Sequence, residues 1–199
     1  MALMEDAARA LAEGGEINGG TYQEETLHGV SGKLLEMKGC RLHTCTITDC
    51  QVKRLSFSDT EFVRCDLSNL ALRGATFQRC CFRGCRMTGF ELIDGACMGT
   101  EFENCALNYA NFAQSKLQNV TFRDCLMDDG SFQSLRWKGI GMENCSLIGA
   151  EIRFAPLAGI DLRSCEIGSL QVNVPDLKGA IVRPDQAMLL AAILGLVIR

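Results

Sequence analysis

Twelve cysteines in 199 residues are the first groups here that could do chemistry. Three of them, Cys40, Cys45 and Cys50, stand five residues apart with His43 between the first two, in the stretch CRLHTCTITDC. Such a cluster admits a metal centre, a disulfide framework, a redox thiol or plain packing, and the spacing decides among them. Ten of the twelve cysteines fall at 40, 45, 50, 65, 80, 85, 105, 125, 145 and 165; only Cys81 and Cys97 stand elsewhere. A period of five belongs neither to an α-helix nor to a strand. A fixed internal period is the mark of a repeat architecture.

The large apolar residues keep the same period. Of the 33 positions ending in 2 or 7 from Tyr22 to Val182, only Gly32 is not hydrophobic, in a chain that is 47% hydrophobic overall. A second period lies on the first: Cys45, Cys65, Cys85, Cys105, Cys125, Cys145 and Cys165 follow one another at intervals of twenty. Phenylalanine repeats likewise at 62, 82, 102 and 122. Twenty residues therefore make one turn, and four five-residue units make a four-sided coil with one bulky and one small residue of each unit inside. Coils bonded backbone to backbone rise by about 4.8 Å, so residues 22–182 predict about eight coils and a rod about 39 Å long. Stacked coils bury a continuous core that no single repeat could bury.

On that frame Cys40, Cys45 and Cys50 lie on three successive sides. They cannot converge at the roughly 2.0–2.3 Å that a tetrahedral metal site needs. The seven twenty-spaced thiols project in parallel. Their Cα spacing of about 4.8 Å would admit disulfides, but parallel Cβ vectors fit the required dihedral poorly. A reduced ladder packed in the core is expected, since free Cys behaves as a small buried hydrophobe. His28 and His43 are predicted to face solvent, and no Ser/His/Asp group gathers in a cleft. The stretch GEINGG at 15–20 sits at a helix-to-coil junction rather than after a strand, so it is no phosphate loop. No catalytic residue, metal or cofactor is expected. The N-terminal residues carry Glu5 and Asp6 and no basic segment, which predicts a cytoplasmic protein without a secretory signal.

Both ends depart from the period. Residues 2–13 place apolar groups at 3, 4, 7, 8 and 11, a helical spacing that Gly14 and Gly15 end. The expected organisation is a capping helix over 1–15, an all-β right-handed quadrilateral β-helix over 16–184 and a C-terminal helix and tail over 185–199, the hand being implied by the family resemblance below. Pro184 suits the first helical position, with Asp185 and Gln186 in the first turn. Met188, Leu189, Leu190, Ile193 and Leu194 crowd around that helix, and Leu196, Val197 and Ile198 follow Gly195. The ten-residue run LLAAILGLVI is too short to span a bilayer. Apolar surface beyond what a cap needs marks an interface, so a homodimer through the C-terminal helix is predicted and no membrane association.

Charge is unevenly spread over the four sides. The side made of 25–29, 45–49 and onward to 165–169 carries Glu25, Asp49, Asp66, Asp128, Asp129 and Glu166 against Arg86 alone, a net of −5. The side starting at 20–24 has a net of −1, that starting at 30–34 of +2, and that starting at 35–39 of +3. The acidic side overlies the seven-cysteine ladder.

The five-residue period resembles the pentapeptide-repeat family, whose loose consensus is Ala-(Asp/Asn)-(Leu/Phe)-X-X. Its nearest local matches are Ala110-Asn111-Phe112, Ala75-Thr76-Phe77 and Cys65-Asp66-Leu67. The resemblance covers residues 20–184; Cys often stands where Ala is usual. The C-terminal DLKGAIVRPDQAMLLAAILGLVI is similar to the ends of Qnr-type fluoroquinolone-resistance proteins, in which a last coil, a Gln-bearing helix and a short apolar tail form a dimer. That resemblance implies an acidic rod shaped like a DNA duplex; the unbroken register leaves no room for the loops that project from many Qnr proteins. Such a rod would bind DNA gyrase or topoisomerase IV through charge complementarity, without itself binding nucleic acid. The alternative is a pentapeptide-repeat scaffold with a partner of another kind.

Overall fold

The corners of the coil are set by the second residue after each large apolar one. There φ is positive, as at Asn69 (56°), Asn104 (52°), Asp124 (52°) and Asn144 (52°), or at Gly39 and Gly99. Asn, Asp and Gly tolerate this left-handed conformation best, which is why they recur at that place. The computed structural model describes residues 3–196. The chain winds as a parallel solenoid of about eight turns, its ladders pairing residues twenty apart: Glu16 with Glu36, Phe62 with Phe82, Phe102 with Phe122, Asp161 with Ile181.

Side chains inside the coil form columns. Phe62, Phe82, Phe102 and Phe122 stack with ring centroids 4.5, 4.8 and 4.9 Å apart. Phe57 and Phe77 form a neighbouring stack at 5.0 Å and meet Phe62 and Phe82 edge-on. The small inward residue has a second task. Cys45 Sγ faces the Tyr22 and His43 carbonyls, each at 3.5 Å, and Cys65 through Cys145 repeat the arrangement. Thr60 and Thr100 put a hydroxyl in the same place, Thr60 Oγ1 donating to Ser58 O at 2.9 Å. Cys thus fills the corner and adds a weak donor that Ala lacks.

All twelve cysteines are free, eleven are buried and Cys81 is half-buried. Burial pushes the Cys80 thiol up to about 12 and raises Cys81 as well. A thiol reagent at pH 8 is therefore expected to label Cys81 slowly in the native protein and the other eleven only on unfolding. Several fast-reacting thiols in the native state would contradict the packed ladder.

Helix α1 (Leu3–Glu13) lies across the first coil and buries Leu3, Ala7 and Ala10 together with Asp6. Met4 stays exposed, so the buried stripe is turned toward Asp6. The Tyr22 hydroxyl donates to Asp6 Oδ2 at 2.8 Å, and Arg9 pairs with the same carboxylate. Helix α2 (Pro184–Ala191) opens with Arg183 as N-cap and Pro184 in its first turn, and a 3-10 turn (Ala192–Leu194) follows. Gln186 is buried, and its Nε2 donates to the Leu162 and Cys165 carbonyls at 2.8 and 2.7 Å. Those carbonyls end the ladder, and the amide stands in for a further coil. The five-residue period is unbroken in the sequence, but the ladder is not: Arg136–Glu143 pairs with Lys116–Arg123 on one edge alone. Trp137, at an inward position, is only half-buried.

Candidate functional site

The six carboxylates of the 25–169 side meet different local partners. Glu25 accepts the Leu3 amide at the start of α1. Asp66 pairs with Arg86, which follows it in the same column twenty residues on. Asp128 is half-buried and turned onto the coil, accepting Ser146 Oγ and, at 2.9 Å, the Ile148 amide. Asp49 is exposed and accepts Gln51 Nε2 at 2.9 Å. Asp129 and Glu166 are exposed, and Gly149 leaves the room that the Asp129 carboxylate occupies. Exposed carboxylates are thus sparse along this side: Asp49 near the N-terminal end, Asp129 and Glu166 near the other.

Between them lies apolar surface that the charge pattern did not signal. Tyr109, Leu126 and Ile148 are large, exposed, and all on this side, in three successive coils. From 105–109 to 165–169 the side carries no basic residue. Tyr109 stands at a corner with φ 60° and is 63% exposed; Phe154, on the next side, has φ 56° and 68% exposure. A bulky residue in this conformation costs about 1–2 kcal/mol. An aromatic that is both strained and exposed therefore has its reason outside the fold. A search for large residues at the corner positions 109 and 154 would have found both in the sequence.

Of the predicted dimer residues, Met188, Leu189, Ile193 and Leu196 are exposed, while Leu190 is buried against the core. Leu194 lies in the 3-10 turn; Val197 and Ile198 lie outside the described residues. A groove of about 280 Å³ between α2 and the last coil is lined by Ile167, Leu170, Leu189 and Ile193. The core ladder Cys45 to Cys165 is buried throughout. His28 and His43 are exposed, each beside a threonine hydroxyl, Thr48 at 2.9 Å and Thr44 at 3.0 Å. Among the described residues no three His, Cys, Asp or Glu side chains converge as a metal site, and no helix is long and apolar enough to cross a membrane.

The family model described as a pentapeptide repeat region matches residues 55–132, 75–154 and 95–173. No curated protein sequence matches the chain. Among solved structures, full-length QnrB1, a plasmid-mediated fluoroquinolone resistance protein, is 19% identical over 91% of this chain and 90% of its own, with a TM-score of 0.35. HetL from Nostoc sp. strain PCC 7120, a pentapeptide repeat protein involved in heterocyst differentiation regulation, is 17% identical over 91% and 92%, with a TM-score of 0.38. Rfr23 from Cyanothece 51142 is 16% identical over 90% and 99%, with a TM-score of 0.21. At such identities and TM-scores these likenesses carry nothing about function.

Proposed function

We propose that this chain, which belongs to the pentapeptide-repeat family, works without catalysis, as a paired rod that binds another protein along its side. The observation that carries this reading is the distribution of exposed apolar surface. Among the described residues, eight of the eleven exposed large hydrophobic side chains stand at or beyond Ile148, on the last coils and α2. Apolar surface gathered at one end of a rod marks an interface, and two-fold pairing is the commonest closed arrangement. The working unit is accordingly a homodimer joined through Met188, Leu189, Ile193 and Leu196.

The partner meets the 25–169 side. Tyr109, Leu126 and Ile148 supply the apolar contact, and Asp129 and Glu166 border it. This chemistry fits a protein surface with apolar side chains inside a rim of Lys and Arg. The more specific reading is a type II topoisomerase, DNA gyrase or topoisomerase IV, approached through its basic DNA-binding surface. Four coils without a basic side chain favour it. Duplex DNA carries one charge per about 1.7 Å, far denser than the exposed carboxylates here. Binding therefore rests on the apolar anchors, and charge steers the approach.

The test is a gyrase supercoiling assay, with and without ciprofloxacin and with topoisomerase IV in parallel. Wild type is compared with Tyr109→Asn/Leu126→Ser/Ile148→Ser and with Asp49→Lys/Asp129→Lys/Glu166→Lys. Wild type at micromolar dimer is expected to inhibit or to protect. The apolar variant is expected to lose at least about tenfold in potency, as removal of interface anchors does. Tyr109→Asn alone is expected to raise stability by about 1 kcal/mol by relieving the corner. A flat response by wild type removes the topoisomerases as partners and leaves a scaffold for another protein.

A further inference from the structure

The ladder that closes the solenoid opens at one corner. Strand Lys116–Arg123 is paired on both edges, but Arg136–Glu143 only on the edge toward it. Among the described residues no backbone-to-backbone hydrogen bond joins 135–144 to 155–164; at the far end Asn144 N–H donates to Ser164 Oγ at 3.1 Å instead. The flanking sides keep theirs, Phe132 N donating to Glu151 O and Leu147 N to Glu166 O, both at 2.8 Å.

Two residues account for the opening. Pro156 has no N–H to give the Leu135 carbonyl, whereas Arg136, one coil earlier, donates to Ser115 O at 3.0 Å. The Trp137 indole N–H takes the Pro156 carbonyl at 2.7 Å, the acceptor that the Trp137 backbone N–H would meet in register. The cleft left behind is about 590 Å³, with Ile140, Gly141 and Met142 on one wall and Gly159, Asp161 and Ser164 on the other. That size lies within the roughly 300–1,000 Å³ of ligand sites.

The walls carry the groups of two strand edges. Gly139 N–H, Ile140 C=O and Met142 N–H on one, and Asp161 N–H on the other, have no partner among the described residues. Alternating donors and acceptors are what another strand reads; an inorganic anion would use the donors alone. The open strand itself carries Arg136 and Lys138, with Lys116 next to Arg136 in register, and none of the three is in an ion pair among the described residues; the cleft's own cations, Arg163 and Arg183, are held by Asp161 and Asp185. The cleft's own acids are bound, Glu143 to Arg123 at 2.8 Å and Asp161 to Arg163 at 2.7 Å. We propose that this cleft binds an extended acidic peptide segment as an added strand, its backbone on the open edges and its carboxylates on Lys116, Arg136 and Lys138. The site is separate from the 25–169 side, and either can fail without the other.

The chain's one tryptophan, Trp137, reports on the cleft. The probe is the synthetic peptide acetyl-Glu-Val-Thr-Val-Glu-Val-amide, titrated into the full chain while Trp137 emission and backbone amide exchange are followed. Saturable binding is expected, with protection of the Gly139, Met142 and Asp161 amides. A version N-methylated at alternate amides and a version with Lys for Glu are each expected to bind at least about tenfold weaker. Gly141→Val, which fills the cleft, and Pro156→Ala, which restores the ladder donor, should each weaken binding by a similar factor with the melting temperature kept or raised. Equal binding of the N-methylated peptide, an oligothymidylate binding in its place, or no binding at all would each overturn the proposal.

Discussion

Replacing Phe82 by alanine is expected to cost about 3–5 kcal/mol, the usual loss for a buried phenylalanine. Its ring lies between Phe62 at 4.5 Å and Phe102 at 4.8 Å, nearly parallel to both, and meets Phe77 edge-on at 5.5 Å. Truncation removes these contacts and leaves a void that rigid coils above and below cannot fill. Each coil touches only its neighbours, so the damage is confined to the turns around residue 82 and weakens cooperativity there. Phe82→Leu, nearer in volume, should lose only about 1.5 kcal/mol. Urea titration followed by circular dichroism measures both. A loss below about 1 kcal/mol for the alanine variant would contradict the stacked column as the core.

Gln186→Ala is expected to cost about 2–4 kcal/mol, because it leaves the buried Cys165 carbonyl without its donor, at roughly 1–3 kcal/mol, and takes one of two donors from the Leu162 carbonyl, which keeps the Cys165 N–H at 2.9 Å. The same amide's Oε1 accepts the Arg183 N–H at 2.8 Å, so the N-cap of α2 goes with it. Without the cap α2 loses its seat and the dimer weakens with it, which couples this stability effect to assembly. Gln186→Glu sharpens the test through pH. A carboxylate facing two carbonyls is held protonated, so its folded pKa lies above the unfolded one. The variant is then most stable below the ordinary carboxylate range and loses that stability as pH rises through the raised value. A melting temperature for Gln186→Glu that rises with pH between about 4 and 7 would contradict this arrangement.

How much of this was legible in the sequence follows from what each feature depends on. The columns and corners depend only on residue identity at fixed intervals, so Tyr22 to Val182 could be laid on the coil directly. The start of α2 at Pro184 was equally plain. Charge was less so: Asp66 and Arg86 share a column, and their pairing could have been read from the interval of twenty. The turning of Asp128 onto Ser146 and Ile148 depends on side-chain rotamers that no period records. The open corner had a signal in Pro156, a residue without an N–H at a ladder position, but its effect needed the Trp137 indole to take the remaining acceptor. Tyr109 and Phe154 were readable as bulky residues at corners, once the corner was known to be left-handed.

The claim on which the functional reading stands is that two rods join at their C-terminal ends. Sedimentation velocity of the wild type and of Met188→Ser/Leu189→Ser/Ile193→Ser tests it most directly. The wild type is predicted to sediment as one species with the mass of two chains at micromolar concentration. The variant is predicted to sediment as a single chain whose melting temperature no longer depends on protein concentration and stays near that of the diluted wild type, since the three side chains are exposed in the single rod. A wild type that remains a single chain up to about 100 μM, weaker than a dissociation energy of roughly 5.5 kcal/mol, would contradict the account.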